Sequence, residues 1–146
     1  MKRVYILSGL PGMGKSTLAN VLLLGHVGLG HIVSADHYLV NEDGKYEWSV
    51  ERLKNAHALC RRRYFSLIAE ELEVVGDRIV ILDNTNLAKR EFAEYKRAAE
   101  DHGWQVFEIC VGNLDVDTAE KRNTHQVPRA TLEKMRDRLR SRWATG

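Results

Sequence analysis

The segment Gly9-Leu10-Pro11-Gly12-Met13-Gly14-Lys15-Ser16-Thr17 constrains this chain more than any other. It matches the pattern G-x-x-x-x-G-K-[ST] at every fixed position. It lies directly behind an apolar run, Val4-Tyr5-Ile6-Leu7, and directly ahead of a Leu- and Ala-rich stretch from Lys15 to Leu24. Strand, glycine loop and helix in that order are the context a phosphate-binding P-loop requires. Glycines let successive backbone N–H groups converge on phosphate oxygens, and the start of the helix adds about half a positive charge. Gly9, Pro11, Gly12, Met13, Gly14, Lys15, Ser16 and Thr17 are therefore candidate nucleotide-binding residues. Lys15 would neutralise the β- and γ-phosphates, and Ser16 would offer its hydroxyl to Mg²⁺. A dinucleotide site would want an acid about where Asp36 stands, but the glycines lack the G-x-G-x-x-G spacing, and that reading fails.

Three further apolar runs, His31-Ile32-Val33, Arg78-Ile79-Val80-Ile81-Leu82 and Val106-Phe107-Glu108-Ile109-Cys110-Val111, read as strands. The first and third of the four runs are almost continuously apolar, as strands covered on both faces are. Helical patterns fill the gaps. They run from Lys15 to Leu24, from Val50 to Val75 with Leu53, His57, Cys60, Tyr64, Leu67, Ile68 and Leu72 at spacings of three and four, and from Lys89 to His102. Gly103 closes the third as a C-terminal cap. Thr131 to Trp143 is the fourth, with Leu132, Met135, Leu139 and Trp143 on one stripe. Such alternation predicts an α/β P-loop NTPase sandwich: a central parallel sheet of about four strands, helices on both faces and a small helical lid. One domain over residues 1–146 is expected, with the lid at about 113–128 and a basic helix at about 129–143.

In a parallel sheet the carboxyl ends of the strands share one edge, where ligands bind. Asp36, in Ser34-Ala35-Asp36-His37-Tyr38, falls there beside the P-loop. It can take the proton from an attacking hydroxyl or, more plainly, cap the next turn. Asp83, in Ile81-Leu82-Asp83-Asn84-Thr85-Asn86, falls where P-loop enzymes hold Mg²⁺ or its water. Thr85 and Asn86 could bond acceptor phosphate or sugar, although such residues also make ordinary turns. Further on, Asp117-x-x-Glu120 reads as a helix capping box. Arg122, and after it Arg129, are candidates to meet the charge that spreads over the γ-phosphate oxygens.

The formal charge of +2 excludes a protein that coats nucleic acid by bulk electrostatics. That figure is an average. Residues 128 to 146 carry six basic and two acidic side chains, net +4, leaving −2 on the rest. This basic segment and Arg61-Arg62-Arg63 are solvated faces or phosphate-tracking surfaces. Hydrophobic residues at 44% and charged at 29% exclude a disordered chain. Cys60 and Cys110 form no disulfide framework and read as two buried thiols, and the six His show no zinc pattern. His57, on the apolar stripe of its helix, reads as a core histidine rather than a base. No run approaches the roughly 18 apolar residues a membrane span needs. A cytoplasmic protein without membrane contact is expected.

Taken together, the P-loop, Ser34-Ala35-Asp36-His37-Tyr38, Asp83-Asn84-Thr85-Asn86 and Arg122-Asn123-x-x-x-Val127-Pro128 resemble the kinase module of the bacteriophage-type 5′-polynucleotide kinases and their AAA-like P-loop relatives. The resemblance covers nearly the whole chain. It implies a kinase that uses ATP or another NTP with Mg²⁺ and acts on the 5′-OH end of a nucleic acid. Asp36 would be the general base, Lys15 and Ser16 would serve triphosphate and metal, Asp83 would order metal-bound water, and Arg122 would reach the donor phosphates from the lid. Two positions depart from the family pattern: Leu39 stands where an acceptor-binding arginine is usual, and Gln126 precedes Val127 where a second lid arginine is usual. A length of 146 residues suits a minimal kinase module without an added phosphatase or ligase domain. The alternatives are a kinase of a nucleoside, sugar or modified base, and a non-catalytic NTP-binding switch.

Overall fold

Alternation along β1 (Lys2–Ser8) and β3 (Asp77–Asp83) divides their side chains between two cores. In the computed structural model, which describes residues 1–47, 49–84, 89–122 and 127–143, Val4, Ile6, Val80 and Leu82 face one side of the sheet and Leu7, Ile79 and Ile81 the other. The sheet is wholly parallel, in the order β2 (Gly28–Val33), β3, β1, β4 (Gln105–Cys110). The chain steps from β1 outward to β2, then back through β3 and across β1 to β4. Right-handed crossovers must place a helix on opposite faces when the direction of stepping reverses. Accordingly, α1 (Lys15–Leu24) covers one face through Ala19, while α2 (Val50–Ala69) and α3 (Lys89–Asp101) cover the other through Cys60, Tyr64, Ile68, Tyr95 and Ala99. The expected sandwich with helices on both faces is the observed fold.

The second helix ends six residues before the expected Val75. Glu70, Glu71 and Glu73 would crowd the negative end of the helix dipole. Arg78, only 4% exposed, supplies the stop: its guanidinium donates to the carbonyls of Leu67 and Glu70 and lies over the Trp104 ring. Leu72 and Val75, read as part of the helix, are exposed. By contrast, α3 ends at Asp101, one residue short of the expected His102, and Gly103 closes it as expected. With φ at 80°, Gly103 donates to the Glu100 carbonyl and lets Trp104 donate to that of Ala99.

Two further helices follow, the short α4 (Val116–Arg122) and α5 (Arg129–Trp143). The capping box on Asp117 and Glu120 is not what starts α4. Asp115 does: it accepts from the Asp117 N–H at 3.1 Å and the Thr118 hydroxyl at 2.6 Å, leaving Asp117 and Glu120 for other partners. α5 begins two residues earlier than Thr131, directly behind Pro128, whose missing N–H costs nothing at that position. Leu132, Met135 and Leu139 pack with Val116 and Ala119 of α4; the side chain of Trp143 lies outside the described residues. Cys60 is buried as expected but Cys110 is only half-buried, because β4 is an edge strand. Among the described residues, no helix is long and apolar enough to cross a membrane.

Candidate nucleotide and phosphoryl-transfer site

The β1–α1 turn forms a cradle for an anion. Gly14, at φ 95°, is the N-cap of α1; no side chain caps the helix, and its first turn holds no acid. A Cβ at Gly14 would meet nothing within 4 Å, so the space beside the start of α1 is open, and a helix start without a side-chain cap suits an anion. Gly12, at φ 79°, is required for a different reason: a Cβ there would stand 2.8 Å from the Cβ of Arg122, so loop and α4 lie in direct contact. Arg122 itself is exposed. The Lys15 stem runs back beside Gly9 and is 7% exposed. Burial lowers the pKa of its ammonium, while the carboxylates of Asp83 and Asp36 pull it back upward. Both acids therefore act on the same lysine.

Sheet register explains the convergence. Asp83 pairs with Leu7, two residues ahead of Gly9, and is almost fully buried. Its Oδ2 accepts from the Ser16 hydroxyl at 3.0 Å. A hydroxyl and a carboxylate so placed are hard oxygen donors, which suit Mg²⁺. Asp36 sits one strand further out, on the 3₁₀ turn Ala35–Tyr38. It does not cap that turn; Ser34 does, accepting from the Asp36 N–H at 3.2 Å. Tyr46 donates its hydroxyl to Asp36 Oδ1 at 3.4 Å, and burial pushes the phenol's pKa upward.

Asn84 was not singled out by its sequence context, yet it connects the two strand ends. It is 3% exposed; its Oδ1 accepts from the Ala35 N–H at 2.9 Å and its Nδ2 donates to Cys60 Sγ at 3.3 Å. It thereby ties the turn carrying Asp36 to the strand carrying Asp83. Replacing Asn84 with Ala leaves a buried N–H without its acceptor. It is expected to cost about 1–3 kcal/mol, read as a lowered urea midpoint at unchanged m. No sequence signal points to the roles of Asn84 and Tyr46, because their partners lie far off or across a turn.

Leu39 is fully buried in the core with Val33 and Ala35, so its side chain faces inward rather than to the acceptor edge. His57 is half-buried; burial lowers its pKa while Glu91 and Asp36 oppose the shift. Arg129, the second arginine expected at the nucleotide, lies at the start of α5. Its guanidinium is engaged by Asp117, Glu120 and Glu133. Thr85, Asn86 and Gln126 lie outside the described residues. No group of three or more potential metal-ligating His, Cys, Asp or Glu occurs among the described residues.

The parallel sheet, the glycine cradle and the Lys15–Ser16–Asp83 cluster define a P-loop nucleotide-binding protein of kinase-like fold. Residues 4–142 match the AAA_33 family model, an AAA domain, and the chain belongs to that family. It is 30% identical over 144 residues to a 2′,3′-cyclic-nucleotide 3′-phosphodiesterase of Pongo abelii, covering 94% of this chain and 31% of that protein. It is 33% identical over 103 residues to NEDD4-binding protein 2 of Homo sapiens, covering 70% of this chain and 5% of that protein. The chain thus spans about a third or less of the curated relatives it matches. Among solved structures, a chain of the Pnkp1/Rnl/Hen1 RNA repair complex superposes with a TM-score of 0.67 at 18% identity, over 99% of this chain and 46% of that one. Chaetomium thermophilum Kti12 in complex with ADP-AlF3 gives 0.57 at 19% identity, over 92% and 79%. At these identities the structural likeness concerns the fold.

Proposed function

We propose that this chain is a kinase that moves the γ-phosphate of ATP, or another NTP, to a hydroxyl, and that the hydroxyl is the 5′ end of a polynucleotide. The observation that carries the reading is the meeting of Asp36 and Asp83 on the field of one buried lysine, with Ser16 bonded to Asp83. In this reading the P-loop amides and Lys15 hold the β- and γ-phosphates. Ser16 and Asp83 would hold Mg²⁺, which when bound neutralises charge on the transferring phosphoryl group. Asp36 orients the acceptor hydroxyl and takes its proton as the acceptor oxygen bonds to the γ-phosphorus; the bond to the β–γ bridging oxygen breaks and NDP leaves. Arg122, set against Gly12, reaches the donor phosphates. The RNA repair complex among the structural neighbours and the cyclic-nucleotide phosphodiesterases among the relatives support a nucleic-acid acceptor.

A second reading, a small-molecule acceptor, is favoured by Leu39. With that side chain in the core, the residue after the Asp36 turn brings no cation to the acceptor edge. Incubation with γ-labelled ATP, with 5′-OH oligonucleotides and a nucleoside panel offered in parallel, separates the readings. Label on the oligonucleotide 5′ end is the expected result. Label on nucleosides alone would establish the second reading, and nucleotide binding without transfer would make the chain a switch.

A further inference from the structure

α4 lies on the P-loop. Its last residue meets Gly12, and Leu10 and Met13 of the loop share a buried cluster with Val116, Ala119 and the apolar stripe of α5. Apolar burial of this kind holds α4 close but is non-directional, so it does not by itself fix the helix in rotation or sliding. Charge supplies the register. Arg129, the first residue of α5, reaches Asp117 at 2.7 Å through one terminal nitrogen, Glu120 at 3.5 Å through the other and Glu133 at 3.3 Å through Nε. Asp117 and Glu120 are three residues apart and share a face of α4, while Glu133 is one turn along α5. A planar guanidinium can serve three carboxylates in fixed directions; an ammonium on a flexible stem cannot.

The cleft beside this contact, about 250 Å³, is lined by Asp115, Asp117, Arg129, Arg136 and Arg140 and invites comparison with an anion site. Most of its charges are already engaged. Arg129 is on Asp117, Arg136 is on Asp137 at 3.1 Å, and Asp115 caps α4. That arrangement makes a clasp between helices rather than a phosphate pocket.

We propose that Arg129 is a positioning residue: it clasps α4 to α5 so that Arg122 enters the nucleotide site from a fixed place on the P-loop. The inference rests on the reading of Arg122 as a phosphate contact. Nucleotide affinity in Arg129→Ala, Arg122→Ala and the double variant tests it. Arg129→Ala is expected to weaken binding about five-fold, Arg129→Lys less, and Arg129→Ala added to Arg122→Ala by almost nothing further. An undiminished effect of Arg129→Ala in the Arg122→Ala background would make Arg129 a direct ligand and overturn the clasp. Amide hydrogen exchange supplies a second readout without nucleotide. The amides of α4 are expected to exchange several-fold faster in Arg129→Ala and in Asp117→Asn, and unchanged exchange in both would equally overturn it. Binding without transfer to any hydroxyl would remove the kinase reading and leave the clasp standing. A chain that binds no nucleotide would remove that reading too, with exchange on α4 still deciding the clasp.

Discussion

Replacement of Asp36 by Asn is expected to lower the turnover of phosphoryl transfer by about 10²- to 10⁴-fold, the range for loss of a positioned general base, with little change in nucleotide affinity. The substitution keeps the shape of the side chain. Asn Oδ1 can still accept from the Tyr46 hydroxyl, and the backbone N–H at position 36 still donates to Ser34. What disappears is the ability to hold a proton passed from the acceptor. In a loose phosphoryl-transfer transition state that proton leaves late, which places the loss in kcat and toward the lower part of the range. Nucleotide affinity responds little, because the cradle at Gly14 and the pairing of Ser16 with Asp83 lie on the next strands and remain whole. Single-turnover transfer of labelled phosphate, read beside nucleotide titration, checks both parts. Undiminished transfer would remove Asp36 from the chemistry. A parallel collapse of nucleotide affinity would show instead that its charge serves the donor.

The phosphate cradle and the carboxylates at the strand ends were legible in the sequence; the contacts that tie those strand ends together were not. Gly9 through Thr17 form a cradle of backbone geometry around a fixed lysine, so local spacing carries the information. The apolar runs of β1 and β3 likewise declare strands covered on both faces. Elsewhere the deciding partner is distant in the chain. α2 stops at Ala69 because Arg78, arriving from the next strand, takes its last carbonyls. Asn84 matters because Ala35, 49 residues away, presents an N–H to it. The carboxylate partners of Arg129 are likewise invisible in one dimension; folding brings it Asp117 and Glu120. Leu39 shows the same limit from the other side. Its apolar character was plain, but only the packing of the 3₁₀ turn onto α2 shows that the position points into the core.

Replacing Lys15 with Met is expected to separate function from stability. Transfer should fall by about 10²- to 10³-fold, as when a preorganised charge at an oxyanion is removed, while the nucleotide-free chain should lose no stability. The lysine is 7% exposed, and burial lowers its pKa against the pull of Asp83 and Asp36, so burial is the larger effect. Without nucleotide, the folded state therefore holds this charge at a cost, which a Met of similar length does not incur. The sign in pH follows. The folded pKa lies below the ordinary value of 10.5, so between the two the unfolded chain binds more protons and the stability of the unaltered protein rises with pH. The Met variant lacks that rise, while the other titrating groups are common to both chains and cancel in the difference. Urea unfolding at pH 7 and pH 10 should therefore show the Met variant at least as stable at pH 7, with its advantage shrinking at pH 10. A Met variant clearly less stable at pH 7 would mean that the attraction of Asp83 and Asp36 outweighs burial. The lysine would then be a structural ion-pair partner as well as the P-loop cation.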